Sequence, residues 1–184
     1  AWLATMESDR VKAIRIAQQW FNAPYSTFKR LALFAASQNN CITPDQWGNW
    51  LISGDSWWLW SQETQREAMR LLVLQGANLS SDKRTELEAT IIAGPPRIMY
   101  QANIDPKDWD LIVDRSVWLR LAKLREGSGK LGDAAAQRFD YLSIANPDRE
   151  LDSHERDEFS HWMSGTGDPD YEENHDIDIA PRKR

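Results

Sequence analysis

The sequence predicts an all-α fold, and three observations lead there. First, the hexapeptide Ile42-Thr43-Pro44-Asp45-Gln46-Trp47 returns in pattern as Ile104-Asp105-Pro106-Lys107-Asp108-Trp109. Each copy reads as a helix start. Thr43 or Asp105 is the N-cap, Pro44 or Pro106 fills the first helical position, and Ile42 or Ile104 staples to Trp47 or Trp109. Gln46 is placed to close a capping box with Thr43. Second, no stretch alternates with period two, so essentially no sheet is expected. Third, apolar residues recur at helical spacing between Gly, Pro and Asn punctuation.

The elements follow in order. Ser8 is the expected cap of a helix running to about Phe21, with stripes Val11, Ile14, Ala17, Phe21 and Ala13, Ile16, Trp20. Two stripes imply burial on more than one side. Asn22-Ala23-Pro24 breaks the run. Ser26 to Ser37 then sets Phe28, Leu31, Ala32, Ala35 and Ala36 at helical spacing, and Asn39-Asn40 ends it.

The helix from Pro44 is cut short by Gly54-Asp55. Trp57-Trp58-Leu59-Trp60 crosses to Ser61, the expected cap of a helix from Gln62 to Gly76. Leu79-Ser80-Ser81 opens the next helix, and Gly94-Pro95-Pro96 closes it. Pro106 to about Arg125 follows, with Gly127-Ser128-Gly129 as a linker and Asp133 to Ala145 beyond it. Asp152 and Glu155 begin a last helix carrying Phe159, Trp162 and Met163. The whole reads as an irregular HEAT-like array of about seven or eight helices over residues 1–163, with a flexible acidic tail over 164–184. The echo spacing of about 62 residues exceeds the usual helical-repeat period of roughly 34 to 47, so it marks either a diverged multi-helix unit or a coincidence.

Composition narrows the function. The chain has 184 residues, is 41% hydrophobic and 27% charged, and fits one soluble domain with a real core. Ten tryptophans are unusual for this length; a few buried indoles can organise a helical core. Residues 148–184 hold 12 acids and 5 bases, whereas residues 1–147 hold 16 acids and 17 bases. A near-neutral body lacks the electrostatic footprint of a nucleic-acid binder, so no nucleic-acid partner is expected. No signal peptide or apolar run long enough to span a bilayer occurs, so no membrane partner is expected and a cytoplasmic setting is the default. The start Ala1-Trp2-Leu3-Ala4 looks like a cut within a longer chain, with Met removal before Ala1 as the alternative.

Candidate chemistry is sparse. Gly127-Ser128-Gly129-Lys130-Leu131 has the Gly-Lys pair of a phosphate loop. Leu124 and Leu131 stand where that loop needs Gly and Ser or Thr. His154-Glu155 suggests a zincin helix, but position 158 is Glu158 rather than His. His154, Glu158 and His161 could still line one helix face as two imidazoles and a carboxylate; the alternative is a solvated polar face. Asp168, Asp170, Glu172, Asp176 and Asp178 match a calcium loop in composition only, because its Gly and closing Glu are missing. Cys41 is alone, which rules out an internal disulfide. No cofactor is expected.

Trp57, Trp58 and Trp60 are the candidate partner-binding residues. Three aromatics within four residues cannot all face one core from one helical turn. Either some are exposed as a hot spot, or two helix layers bury them from both sides. A near-neutral body predicts mainly apolar contact with weak salt dependence.

Three segments carry a resemblance: Arg66-Glu67-Ala68-Met69-Arg70-Leu71-Leu72, Ile91-Ile92-Ala93-Gly94-Pro95-Pro96-Arg97, and Arg156-Asp157-Glu158-Phe159-Ser160-His161-Trp162-Met163. Across roughly residues 60–165 the chain resembles the C-terminal helical region of large bacterial proteins with an N-terminal sirtuin-like or NTPase domain, several of them in antiphage defence systems. The resemblance implies effector chemistry N-terminal to this segment. The helical part would then recognise a phage product, restrain the enzyme or assemble the oligomer. No catalytic residue carries over, since neither an NAD-binding glycine fingerprint nor a sirtuin catalytic His occurs. The expected function is therefore non-catalytic: a protein-recognition or scaffolding segment whose partner is another protein or another domain of the same chain. The alternatives are a dimerisation module, with an oligomer to match, or a metal-dependent hydrolase using His154, Glu158 and His161.

Overall fold

The computed structural model describes residues 2–38 and 41–151. Among them are eight α-helices and no strand: α1 Trp2–Ser8, α2 Arg10–Asn22, α3 Ser26–Ser37, α4 Pro44–Trp60, α5 Gln65–Gln75, α6 Ser81–Ala93, α7 Pro106–Ser128 and α8 Asp133–Ala145. Short 3-10 turns follow α5 and α6, at Gly76–Asn78 and Arg97–Met99. The all-α expectation holds. The last helix expected from Asp152, the triad His154, Glu158 and His161, and the acidic tail lie outside the described residues.

Side-chain pins set how the helices lie. Between α3 and α5, the Ser26 hydroxyl donates to Glu63 (3.1 Å), Arg30 to Glu67 (2.9 and 3.1 Å), and the Gln75 amide to the Ser37 carbonyl (3.2 Å). The partners are 37, 37 and 38 residues apart. A constant offset means that α3 and α5 run in the same direction. The same holds for α4 and α6, where Ser80 donates to Asp45 (2.9 Å) and Lys83 to Asn49 (2.6 Å), at offsets of 35 and 34. Helices α3, α5 and α7 touch in succession, as do α4, α6 and α8; α2–α3, α4–α5 and α6–α7 join neighbours in sequence. The lateral register thus lies near 34 to 38 residues, not at the echo spacing.

One core runs through the array, from Ala17 and Phe21 on α2 to Phe139 and Leu142 on α8. Trp47, Leu51, Met69, Leu72, Ile91 and Leu121 are fully buried within it. At roughly 1.5–3 kcal/mol for each large apolar side chain, this burial is the main favourable term. Phe21 stacks on Trp50 at 4.4 Å with the rings 5° apart.

Several local expectations are corrected. A separate helix α1 precedes the expected first helix, and Asp9, not Ser8, caps α2 by accepting from the Lys12 N–H (3.0 Å). The Ser8 hydroxyl instead turns back to the Ala4 carbonyl. Ala13, Ala17 and Phe21 are buried, but Val11 is exposed, because α1 and α3 cover one face of α2 only. Asp105 caps α7 through the Lys107 N–H (2.9 Å), yet Thr43 makes no side-chain capping bond at the head of α4. Ser61 ends α4 rather than starting α5; its hydroxyl accepts from the Glu63 N–H, and helix α5 begins only at Gln65. Finally, Gly127-Ser128 is no linker. Helix α7 continues through both and stops at Gly129, which takes the left-handed conformation (φ 73°) that favours glycine.

Candidate functional site

The tryptophan segment takes its shape from the break in α4. Gly54, Asp55 and Ser56 all adopt left-handed φ values, of 56°, 55° and 57°. Glycine does so freely, whereas Asp55 and Ser56 each carry a cost of roughly 1–2 kcal/mol. Local bonds hold the turn: the Ser56 hydroxyl donates to the Asp55 carbonyl (2.6 Å) and accepts from the Trp60 indole N–H (3.1 Å). One more turn of right-handed helix then carries the three indoles in three directions.

Trp60 is buried, with the Arg120 guanidinium over its ring at 4.1 Å. Arg120 is itself buried; it donates to the Leu59 carbonyl (2.9 Å) and the Ser116 carbonyl (3.0 Å), and burial pushes its guanidinium down to about 9. Trp58 is half-buried and lies 5.1 Å from the Lys29 ammonium. That ammonium also sits 4.3 Å from the Phe21 ring and donates to the Phe21 carbonyl. Among the described residues no carboxylate pairs with Lys29, and burial lowers its pKa. Trp57 alone of the three is exposed, at 38%. The trio is therefore one surface indole and two that help to build the core around buried cations.

A second surface stands out. On α3, Phe28, Leu31 and Phe34 follow one another at three-residue steps, and all are partly exposed. Tyr25, just before the helix, packs beside Phe28 at 6.3 Å. The face turned inward carries Lys29, Ala32, Leu33, Ala35 and Ala36 instead. Phe28 and Leu31, expected beside Ala32 in the core, thus form an outward stripe. The stripe leads into a groove of about 390 Å³ between α3 and α5. Phe34, Ser37 and Gln38 line one wall, and Arg66, Glu67, Arg70 and Leu74 line the other. Glu67 is held by Arg30 in a two-point ion pair, and that carboxylate raises the Arg30 pKa. Arg66 and Arg70 belong to the same wall. The groove thus has apolar edges at Phe34 and Leu74, with polar and charged side chains between them.

Other candidate residues are structural in this setting. Gly127 packs against the α5 backbone, so the Gly-Lys segment holds no phosphate loop. Cys41 is buried; burial raises its thiol pKa, and Arg10 partly offsets this. Among the described residues, no group of three or more His, Cys, Asp or Glu could hold a metal ion. No helix among them is long and apolar enough to cross a membrane. The groove escaped the sequence reading because apolar residues at helical spacing read as core. The available signal was that α3 carries more apolar positions than one inward face can use.

The chain matches no protein-family model, no curated protein and no solved structure.

Proposed function

We propose that this chain is a non-catalytic protein-recognition segment of a larger protein, and that it binds through the outer face of α3 and the groove beside it. The observation that carries this reading is the Phe28–Leu31–Phe34 stripe running into a groove walled by Arg66, Arg70 and Leu74. Contiguous apolar surface rimmed by polar groups is how protein-binding sites present themselves, and Arg and aromatic side chains are preferred anchors. The surface suits a peptide segment with apolar anchor residues. A HEAT-like scaffold in a bacterial antiphage-defence protein is the setting proposed by the sequence resemblance. No enzyme chemistry is assigned to the chain.

The test is binding of a labelled amphipathic peptide to the full chain, measured by fluorescence anisotropy. Phe34→Ala and Leu74→Ala should each weaken binding by fivefold or more, about 1 kcal/mol, while the melting temperature stays nearly constant. Loss in Trp57→Ala but not in Phe34→Ala would move the interface to the break in α4. A peptide that binds with no dependence on any of these residues would defeat the proposal.

A further inference from the structure

We propose that α1 is a displaceable latch, and that the slot it fills, between Trp20 of α2 and Phe34 of α3, accepts a short tryptophan-bearing amphipathic helix of a protein partner. The proposal rests on the recognition surface just described, which shares Phe34, and names both its regulation and the anchor it takes.

The slot already holds a side chain whose chemistry defines what it takes. The Trp2 ring lies 6.1 Å from Trp20 at a 46° tilt and meets Phe34 edge-on at 6.4 Å. Its indole N–H donates to the Ala13 carbonyl of α2 (3.0 Å). Two aromatic faces and one carbonyl acceptor suit a large apolar ring with a single donor, which is the indole of tryptophan. Met6, one helical turn further on, packs against the core as Trp2 does. The hold on α1 is nonetheless slight. None of its residues is buried, and α2 is its one substantial interface among the described residues. Seven residues are too few for a helix to persist in water without such packing. The connection to α2 is a hinge of one residue. Asp9 has φ −150° and ψ 84°, outside the helical region. Its N–H still donates to the Thr5 carbonyl (2.7 Å), and its carbonyl accepts from the Ala13 N–H (3.0 Å). Helical bonding thus runs up to Asp9 from both sides, and rotation about that residue swings α1 off α2. A partner helix that presents an indole to the slot binds only the open chain, and so shifts the latch outward. Phe34 also lines the α3–α5 groove, so one ligand can fill slot and groove together. Tethered α1 competes at an effective concentration in the millimolar range, so the latch disfavours ligands that reach only one of the two.

The probe is an N-acetylated peptide of residues 2–9 with a C-terminal fluorescein, added to the full chain. Trp2→Ala in the chain vacates the slot, so that variant should bind the peptide about tenfold more tightly than the native chain. Adding Phe34→Ala to it should abolish binding. Trp2→Phe in the peptide loses the donor and should weaken binding about fivefold. Leu74 belongs to the groove and not to the slot, so Leu74→Ala should leave the affinity for this peptide unchanged. Equal binding to the native and Trp2→Ala chains, or binding to neither, would overturn the latch. The groove reading would then still stand or fall on the Leu74→Ala test with the amphipathic peptide. Loss of the residue 2–9 peptide in Leu74→Ala would put that peptide in the groove and sink the slot. A native chain that dimerises in sedimentation, and no longer does so in Trp2→Ala, would give the slot to a second copy and exclude the external partner. In the native chain, Phe34→Ala should speed amide exchange at residues 6–9 about tenfold while leaving α7 unchanged. Unaltered exchange at residues 6–9 would overturn the latch even if Trp2→Ala failed to fold.

Discussion

Gly127 of α7 lies directly against the carbonyl of Val73 on α5. A Cβ built on Gly127 would fall 2.6 Å from the Leu72 carbonyl oxygen and nearer still to that of Val73. The obstacle is backbone, which cannot rotate aside. Glycine here sets how closely α5 and α7 approach, and this outweighs its poor helix propensity.

Gly127→Ala should therefore lower stability by about 1–3 kcal/mol or more, as overpacking does. Gly129→Ala is the control. Its Cβ would meet open space, and only the left-handed φ is penalised, by roughly 1–2 kcal/mol. Denaturant melts should rank Gly127→Ala as the more damaging. The reverse order would mean that the helices can part at little cost.

The two echoed helix starts should respond differently to cap removal. Asp105→Ala loses a capping bond and should cost about 0.5–2 kcal/mol. Thr43→Ala loses none and should be close to neutral. Trp47→Ala empties a fully buried site and should cost about 3–5 kcal/mol. Urea midpoints for the three variants check the order; equal losses for Asp105→Ala and Thr43→Ala would refute it.

Lys29 makes a pH prediction. Burial lowers its folded pKa below the ordinary 10.5. Below the folded pKa the buried ammonium costs stability. Above it the folded chain has released a proton that the unfolded chain still binds, so stability is regained as pH rises towards 10.5. Relative to Lys29→Met, the native chain should gain stability across that alkaline window. A difference independent of pH would show that the ammonium is solvated in the folded state.

Trp60 and Trp57 should separate cleanly. Trp60→Ala removes a buried ring and exposes the underside of Arg120, so it should cost about 3–5 kcal/mol. Trp57→Ala should change stability by less than about 1 kcal/mol. Thermal melts monitored by circular dichroism decide the matter, and similar losses would mean that Trp57 is packed.

How much was legible follows from which signals are local. Pro44, Pro106, Gly94 and the Gly54-Asp55 break each act on the adjacent backbone, and each marks a real boundary. Ser8 and Asp9 are both good caps, and only packing of α1 on α2 selects Asp9. Gly127 looked like a linker because its reason for being glycine lies on another helix. Burial of Trp60 depends on Arg120, 60 positions away, which no local pattern encodes. On α3 three alanines, with Leu33 and Lys29, face inward, whereas Phe28 and Leu31 do not. The small side chains let neighbouring helices approach, and Phe28, Leu31 and Phe34 are left to solvent and the groove.

Among the described residues, the substantial interfaces all join helices adjacent in order or one apart, from α1–α2 to α7–α8. Such an array passes strain from hand to hand. Damage to a terminal helix need not loosen the middle, because no major contact among the described residues bridges the two ends. Amide exchange should thus be graded along the chain, quickest in α1 and slowest in α5, which is clasped by α3, α4 and α7 together. A partner seated on α3 and α5 would clamp the slowest-breathing stretch. The quicker ends would be left free to yield.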